Sequence, residues 1–256
     1  MATGGHVKAL LSLGLHDPNI IGRPNVVTTL MEDTSGPWME YFAHKEARDQ
    51  QGQFMADAYL SLIKGRTIIA EAPTGLGKTA ASLASALAAM KQSENVKKIL
   101  FLTGRQSQHK IVIDTVRKLN DNRKDHPNVA IVDLIGRESQ CGKLTIDRQC
   151  FCEEGVSEKA RGGRRSQLKR WILEWPRHVE ETVKNGRKEG TCPYMCCIEA
   201  AREAEIIVMD YNHVFVESVS DSSLPSMSID VGSSIVIVDE AHNLPDRIKL
   251  GLEMRL

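Results

Sequence analysis

The sequence predicts an α/β protein, a parallel sheet with helices on both faces. Three observations carry that prediction. Short β-branched segments recur along the chain: "RTIIAEA" (66–72), "KKILFLTG" (97–104), "NVAIVDLIG" (128–136), "EIIVMD" (205–210) and "SSIVIVDE" (233–240). Helical patterns separate most of them, and such alternation produces parallel strands covered on both sides. A glycine loop, "PTGLG" (73–77), sits between the first strand and the helix after it.

The elements follow in chain order. Residues 1–40 read as an N-terminal extension, with "HVKALLSLGL" (6–15) as a short helix and "NVVTTL" (25–30) as a short strand. From Gln51 to Lys64, Phe54, Ala58 and Leu62 recur at helical spacing, with Met55 and Tyr59 beside them. Gly65 ends that helix. "RTIIAEA" then reads as a buried strand, and "KTAASLASALAAMKQ" (78–92) as an alanine-rich helix able to pack closely on a sheet. "SQHKIVIDTVRKL" (107–119) is a further helix between the second and third strands.

Residues 141–192 break the rhythm. They hold four of the six cysteines, two of the three tryptophans and the stretch "RGGRR" (161–165). From Glu158 to Gly190 ten Lys/Arg face five Glu. "SQLKRWILE" (166–174) and "PRHVEETVKN" (176–185) read as two short helices, the second opened by Pro176. The block is expected to be a small insert, splitting the sheet domain into 41–140 and 193–256. Trp171 and Trp175, with Leu168 and Ile172, are expected to form its small core.

The whole chain has 256 residues, enough for one large domain or two modest ones. Its 33 Lys/Arg equal its 33 Asp/Glu, so any basic site is local. The N-terminus lacks a basic start and has too short an apolar run for a signal peptide. No apolar run approaches membrane-spanning length. The expectation is a soluble protein of the cytoplasm, or of the nucleus in a eukaryote, without a membrane partner.

"EAPTGLGKTA" (71–80) follows a strand and opens a helix. Gly75 and Gly77 let backbone amides converge on phosphate oxygens, and the helix N-terminus adds partial positive charge. Lys78 reaches the β- and γ-phosphates, and Thr79 is placed to ligate Mg²⁺. The loop runs Ala72, Pro73, Thr74, Gly75, Leu76, Gly77, Lys78, Thr79, with Ala72 in the place of the usual first glycine. "IVIVDEAHN" (235–243) supplies the other half: Asp239 leaves a strand end, ready to hold Mg²⁺, and Glu240 is placed to polarise water.

The cysteines stand as C-x₈-C-x-C-x₃₉-C: Cys141, Cys150, Cys152 and Cys192. Four thiolates take zinc or an iron–sulfur cluster. Structural zinc sites usually use C-x₂₋₄-C pairs, and these four show no zinc-ribbon pair of pairs, so the spacing leans towards a cluster. Cys196 and Cys197 are rivals for the places of Cys150 and Cys152, or else buried thiols. An insert this small buries little core, so ligation is expected to hold it folded.

"APTGLGKT" (72–79) with "DEAH" (239–242) resembles the superfamily 2 helicases. "GRESQC" (136–141), "TCPY" (191–194), "VMDYNHVF" (208–215) and "YFAHKEARDQQGQFM" (41–55) narrow the resemblance to the iron–sulfur helicases of the XPD/DinG type. That resemblance implies a RecA-like lobe with an iron–sulfur insert between phosphate loop and DEAH box. It implies ATP and Mg²⁺ as ligands, with Arg48 and Gln51 on the adenine side and His242 coupling hydrolysis to DNA. It implies a [4Fe–4S] cluster on Cys141, Cys150, Cys152 and Cys192. It implies single-stranded DNA as partner and 5′ to 3′ unwinding. Arg105, in a DNA-contacting motif, and Arg161, Arg164, Arg165, Lys169, Arg170 and Tyr194 are the expected contacts. The chain runs fourteen residues past His242, so the resemblance also implies that a second lobe is supplied by a missing C-terminal half or by a partner subunit. Two other readings compete: a small P-loop NTPase with a zinc-stabilised insert, and a non-catalytic metal-and-DNA-binding module.

Overall fold

The structure, a computed structural model, describes residues 10–13, 35–48, 50–72, 75–147 and 149–253. Its centre is a six-stranded, all-parallel sheet. In chain order the strands are β1 (Leu10–Leu13), β2 (Ile69–Ala70), β3 (Lys98–Leu102), β4 (Ile131–Asp133), β5 (Ile206–Met209) and β6 (Ser234–Asp239). Across the sheet they run β2-β1-β6-β3-β5-β4. Helices α1 (Gln51–Ile63), α2 (Lys78–Gln92) and α3 (Gln106–Asn122) precede β4. Between β4 and β5 come α4 (Arg137–Cys141), α5 (Glu158–Glu174), α6 (Val179–Glu189) and α7 (Pro193–Ala201). Helices α8 (Asn212–Phe215) and α9 (Glu217–Ser226) lead to β6, and α10 (Leu244–Glu253) follows it.

The strands alternate faces, and each face carries its own core. Ile99, Phe101, Ile206, Val208, Ile235 and Ile237 meet α1, α2 and α3. Leu100, Leu102, Ile207, Met209, Val236 and Val238 meet α5, α7 and the helices after β5. Every residue of β6 is buried, as expected of a central parallel strand. Helix α2 is buried continuously from Ala80 to Met90. Its alanines let α1 approach closely enough for the Ser85 hydroxyl to donate to Met55 O at 2.9 Å.

Three expectations change here. Leu10–Leu13, expected in a short helix of an N-terminal extension, form a strand paired with β2 on one side and β6 on the other. A gap between those strands would leave backbone donors and acceptors unpaired on both, and a short parallel strand satisfies them. Pro37–Tyr41 also belongs to the lobe: Trp38 and Tyr41 are buried, and Trp38 packs on Tyr59 with ring centroids 5.3 Å apart. The strand expected over 66–72 shrinks to Ile69–Ala70 and lies at the sheet edge, where Ile69 is exposed rather than buried. The possible strand at 25–30 lies outside the described residues.

The insert differs as well. Helix α5 begins at Glu158, capped by the Ser157 hydroxyl, so "RGGRR" is helical. Helix α6 begins at Val179, not at Pro176, because the Glu181 carboxylate accepts from His178 N at 2.7 Å and closes a capping box. Leu168 and Ile172 do not form a separate mini-core; they join the core on the second face of the sheet. Trp171 only flanks that core, under the Arg177 guanidinium at 4.1 Å, and Trp175 is half-exposed.

Candidate functional site

Two groups of residues gather at this fold. The first lies at the carboxyl end of the sheet. Strand register places Leu13 between Ala70 and Asp239, so the glycine loop and the acidic turn leave strand ends at one level, on either side of β1. Gly75 and Gly77 take positive φ, 89° and 80°, which a side chain resists. Gly77 also touches Gln51 so closely that a Cβ would stand 2.5 Å from Nε2. Lys78 opens α2 and its Nζ donates to Ala72 O at 3.1 Å. Thr79 follows, half-buried. Pro73 and Thr74 lie outside the described residues.

Arg48 and Gln51 both meet this loop. Arg48 donates from Nη1 to Gly75 O. Gln51 donates to Gly77 O at 3.2 Å and accepts from Arg48 N at 3.0 Å. The chain before α1 is therefore laced to the loop before α2.

Asp239 is buried at the end of β6. Burial and the Glu240 carboxylate push its carboxyl up to about 6, against the opposing pull of Lys78. A buried carboxylate beside a lysine fits a divalent cation, which would supply the charge that burial withholds. Glu240 holds φ 51°, ψ 47°, a left-handed conformation uncommon outside glycine. His242 Nδ1 lies 3.3 Å from its Oε2. The Tyr211 hydroxyl donates to Asp239 O and lies 3.4 Å from Glu240 O. The Tyr211 ring also packs on Gly104, beside Arg105. Sequence reasoning gave Tyr211 no role, although "VMDYNHVF" contains it. Its signal is spatial, a side chain that spans two loops.

The second group is four thiols. The Sγ atoms of Cys141, Cys150, Cys152 and Cys192 all lie within 4.8 Å of one another. Cys141 Sγ stands 3.3 Å from Cys150 Sγ and 3.4 Å from Cys152 Sγ. Cys141 ends α4, where Gly142 turns the chain at φ 68°. A short antiparallel bridge, Leu144 to Cys150, brings the loop back. Cys192 caps the start of α7. Burial pushes the Cys152 thiol up to about 12 and raises Cys192 too. A cation would favour the thiolates of Cys152 and Cys192, and the donor set, sulfur only, fits zinc or an iron–sulfur centre. Cys196 and Cys197 stand apart from this set. Both are buried in the core, where Cys197 Sγ accepts from Gln140 Nε2 at 3.0 Å.

The expected DNA contacts divide. Arg165 is engaged by Glu153 and Glu199, and Lys169 by Glu203 at 2.7 Å. Arg164 donates to Gly190 O, and Arg161 lies 3.6 Å from Glu153. These four tie α5 to its neighbours: α7 and the turn after it present Glu199 and Glu203, the loop before α5 presents Glu153, and the turn after α6 presents the Gly190 carbonyl. Arg105 and Arg170 are exposed and make no ion pair among the described residues. Tyr194 is half-buried with the Arg137 guanidinium 5.9 Å from its ring centre.

No helix among the described residues is long and apolar enough to cross a membrane. Residues 101–256 match the family described as DEAD_2, and residues 49–147 match the DEAD/DEAH box helicase family. The chain is similar to Regulator of telomere elongation helicase 1 of Homo sapiens, 26% identical over 232 residues, covering 82% of this chain and 16% of that protein. It is similar to ATP-dependent DNA helicase CHL1 of Vanderwaltozyma polyspora, 41% identical over 70 residues, covering 27% of this chain and 8% of that protein. A solved structure titled XPD_Helicase shares the fold, with a TM-score of 0.55 at 22% identity, covering 81% of this chain and 35% of that one. The alignments thus span only a small part of these curated relatives.

Proposed function

The chain belongs to the DEAD_2 family, and from that premise we propose that it is the nucleotide-binding motor lobe of an ATP-dependent, 5′ to 3′ DNA helicase. The observation that carries the proposal is the register of β2, β1 and β6, which sets the phosphate loop level with Asp239. Lys78 binds the β- and γ-phosphates, and the amides from Gly75 to Thr79 cradle them. Thr79 and Asp239 hold Mg²⁺, which neutralises charge developing on the phosphates. Glu240 orients the attacking water, and His242, beside it, carries the state of the site towards DNA. Arg48 and Gln51 line the adenine side. Full turnover in such enzymes also uses a second lobe, supplied by further chain or by a partner subunit.

Single-stranded DNA is the proposed track. Arg105 and Arg170 are the exposed cations suited to phosphates, and Tyr194 offers a ring near the last thiol. The four thiols are proposed to hold a [4Fe–4S] cluster. One observation favours a second reading at that centre. A tetrahedral zinc with Zn–S of about 2.3 Å spaces its sulfurs about 3.8 Å apart, near the separations here.

The test uses the protein purified without oxygen. Fluorescent ATP with Mg²⁺ should bind, and labelled single-stranded DNA should compete with unlabelled strand. Elemental analysis should give about four irons, with absorbance near roughly 400 nm. One zinc per chain would replace the cluster by the second reading. Failure to bind ATP would refute the motor-lobe assignment.

A further inference from the structure

Glu153 directly follows Cys152, and its side chain is 8% exposed. A buried carboxylate is unfavourable unless paired and hydrogen-bonded. This one is fully engaged. Arg165 Nε donates to Oε1 at 2.9 Å and to Oε2 at 3.1 Å, and Nη2 donates to Oε2 at 2.5 Å. The Thr191 hydroxyl donates to Oε1, and Cys192 N lies 3.3 Å from the same oxygen. Cys192 is the N-cap of α7 and has no side-chain cap bond of its own, so the Glu153 carboxylate also meets the positive end of that helix. Arg165 extends the network through Nη1 to Glu199 on α7, at 3.4 Å.

We propose that Glu153 and Arg165 form a positioning clamp that presets the four-thiol cage. The proposal rests on the reading that the cage holds a metal centre. One carboxylate joins three segments: the loop bearing Cys150 and Cys152, helix α5, and the start of α7 with Cys192. The loop has little else to hold it. Ile146 is fully exposed, and Phe151 is 41% exposed. Without the clamp, Cys150 and Cys152 would have to be ordered when metal binds. With it, the Glu153 end of the loop is ordered beforehand and only the rest waits for metal, which strengthens binding and slows release. Arg165 therefore serves the centre from beneath and is not a contact for DNA.

The test measures metal release from the 256-residue protein purified without oxygen. Metal content is read by elemental analysis, and loss to excess chelator is timed. Glu153→Gln and Arg165→Met should each speed release by roughly 10- to 100-fold. Glu153→Ala should exceed Glu153→Gln, because it removes the acceptor of the Cys192 amide as well as the charge. The double variant should be no worse than the more severe single one. Arg117→Met, which breaks the unrelated pair between α3 and Glu181, should leave the rate unchanged. Wild-type release rates in Glu153→Gln and Arg165→Met would overturn the clamp. So would equal acceleration in Arg117→Met, which would mark general loosening of the insert. If Glu153→Ala fails to fold by circular dichroism, the two milder variants decide. Metal-free wild-type protein would overturn the metal reading itself, and the clamp with it.

Discussion

The phosphate loop and the thiol cage are held in opposite ways. The loop hangs between β2 and α2, at the end of a sheet whose central strand β6 is completely buried. Its ligand-facing groups are largely backbone, and its geometry follows from two glycines and a helix start. The cage draws its donors from α4, an irregular loop and the N-terminus of α7. Its ligand-facing groups are side chains, and a buried ion pair aligns them. A ligand lost from the first site leaves the sheet standing. A ligand lost from the second removes much of what holds residues 142–157. That contrast separates a site built on the fold from a site that completes the fold.

The sharpest way to break the contrast is at the cage. Cys192→Ser removes one of the four thiols of the proposed metal centre, and structural metal binding of this kind is worth on the order of 10 kcal/mol. Stoichiometric metal should be lost, and amides of 142–157 should exchange rapidly. The sheet amides should remain protected, because neither core contains any of the four cage cysteines. Unfolding of the whole lobe would show that both sites depend on the metal. Cys197→Ser should retain metal, since that thiol packs against Gln140.

The next effect belongs to the phosphate loop. Lys78→Ala should weaken Mg²⁺·ATP binding by roughly 2–5 kcal/mol, the range for removing one partner of a close charge pair. Titration with a fluorescent nucleotide measures it, and circular dichroism should be unchanged. Lys78 is only half-buried and belongs to no core, so destabilisation on the scale of the binding loss would contradict the contrast.

The two sites also differed in how far sequence alone revealed them. The loop is contiguous, so eight successive residues announce strand, turn and helix together. The acidic turn was equally plain, because a run of β-branched residues ends on it. The four thiols are dispersed over fifty residues, and spacing left Cys196 and Cys197 as rivals. Only folding shows that α7 turns those two into the core. Glu153 and Tyr211 were invisible as site residues, since each acts on partners distant in sequence. The basic run of α5 showed only its charge, because the carboxylates that pair with Arg165 and Lys169 lie on other elements. β1 was missed because four residues carry too little pattern to declare a strand, and its pairing partners lie about sixty and more than two hundred positions away.

A smaller effect tests whether the phosphate site is strained for function. The Asp239 carboxyl is raised from 3.8 to about 6, mainly by burial. The folded state therefore binds its proton more tightly than the unfolded chain does. Between pH 3.8 and about 6 the native state holds the extra proton, so stability falls as pH rises through that window. Above it the full penalty applies, at most about 3 kcal/mol. Asp239→Asn should therefore stabilise the ligand-free protein by about 1–3 kcal/mol at pH 7.5. The gain should shrink on acidification and vanish near pH 4. Urea melts at four pH values measure it, and a pH-independent gain would assign the effect to something other than this carboxylate.

The smallest expected effect sharpens the comparison furthest, because it removes a single oxygen. Tyr211 anchors the turn at Asp239 and Glu240 through its hydroxyl while its ring lies against Gly104. Tyr211→Phe keeps the ring and deletes the bond. The loss in stability should be about 1 kcal/mol, the usual net value of one hydrogen bond. Glu240 sits in a left-handed conformation that the surrounding turn must enforce, and the backbone and side-chain amides of Asn243 would then hold its carbonyl. The consequence should appear in the response to DNA more than in nucleotide affinity, since Lys78 and the loop amides are untouched. Mg²⁺·ATP binding should stay within about twofold of wild type. Amide exchange at 239–243, and the change in nucleotide affinity on adding single-stranded DNA, should both shift. A variant with weakened nucleotide binding and an unaltered DNA response would place Tyr211 in the nucleotide site instead of between the two loops.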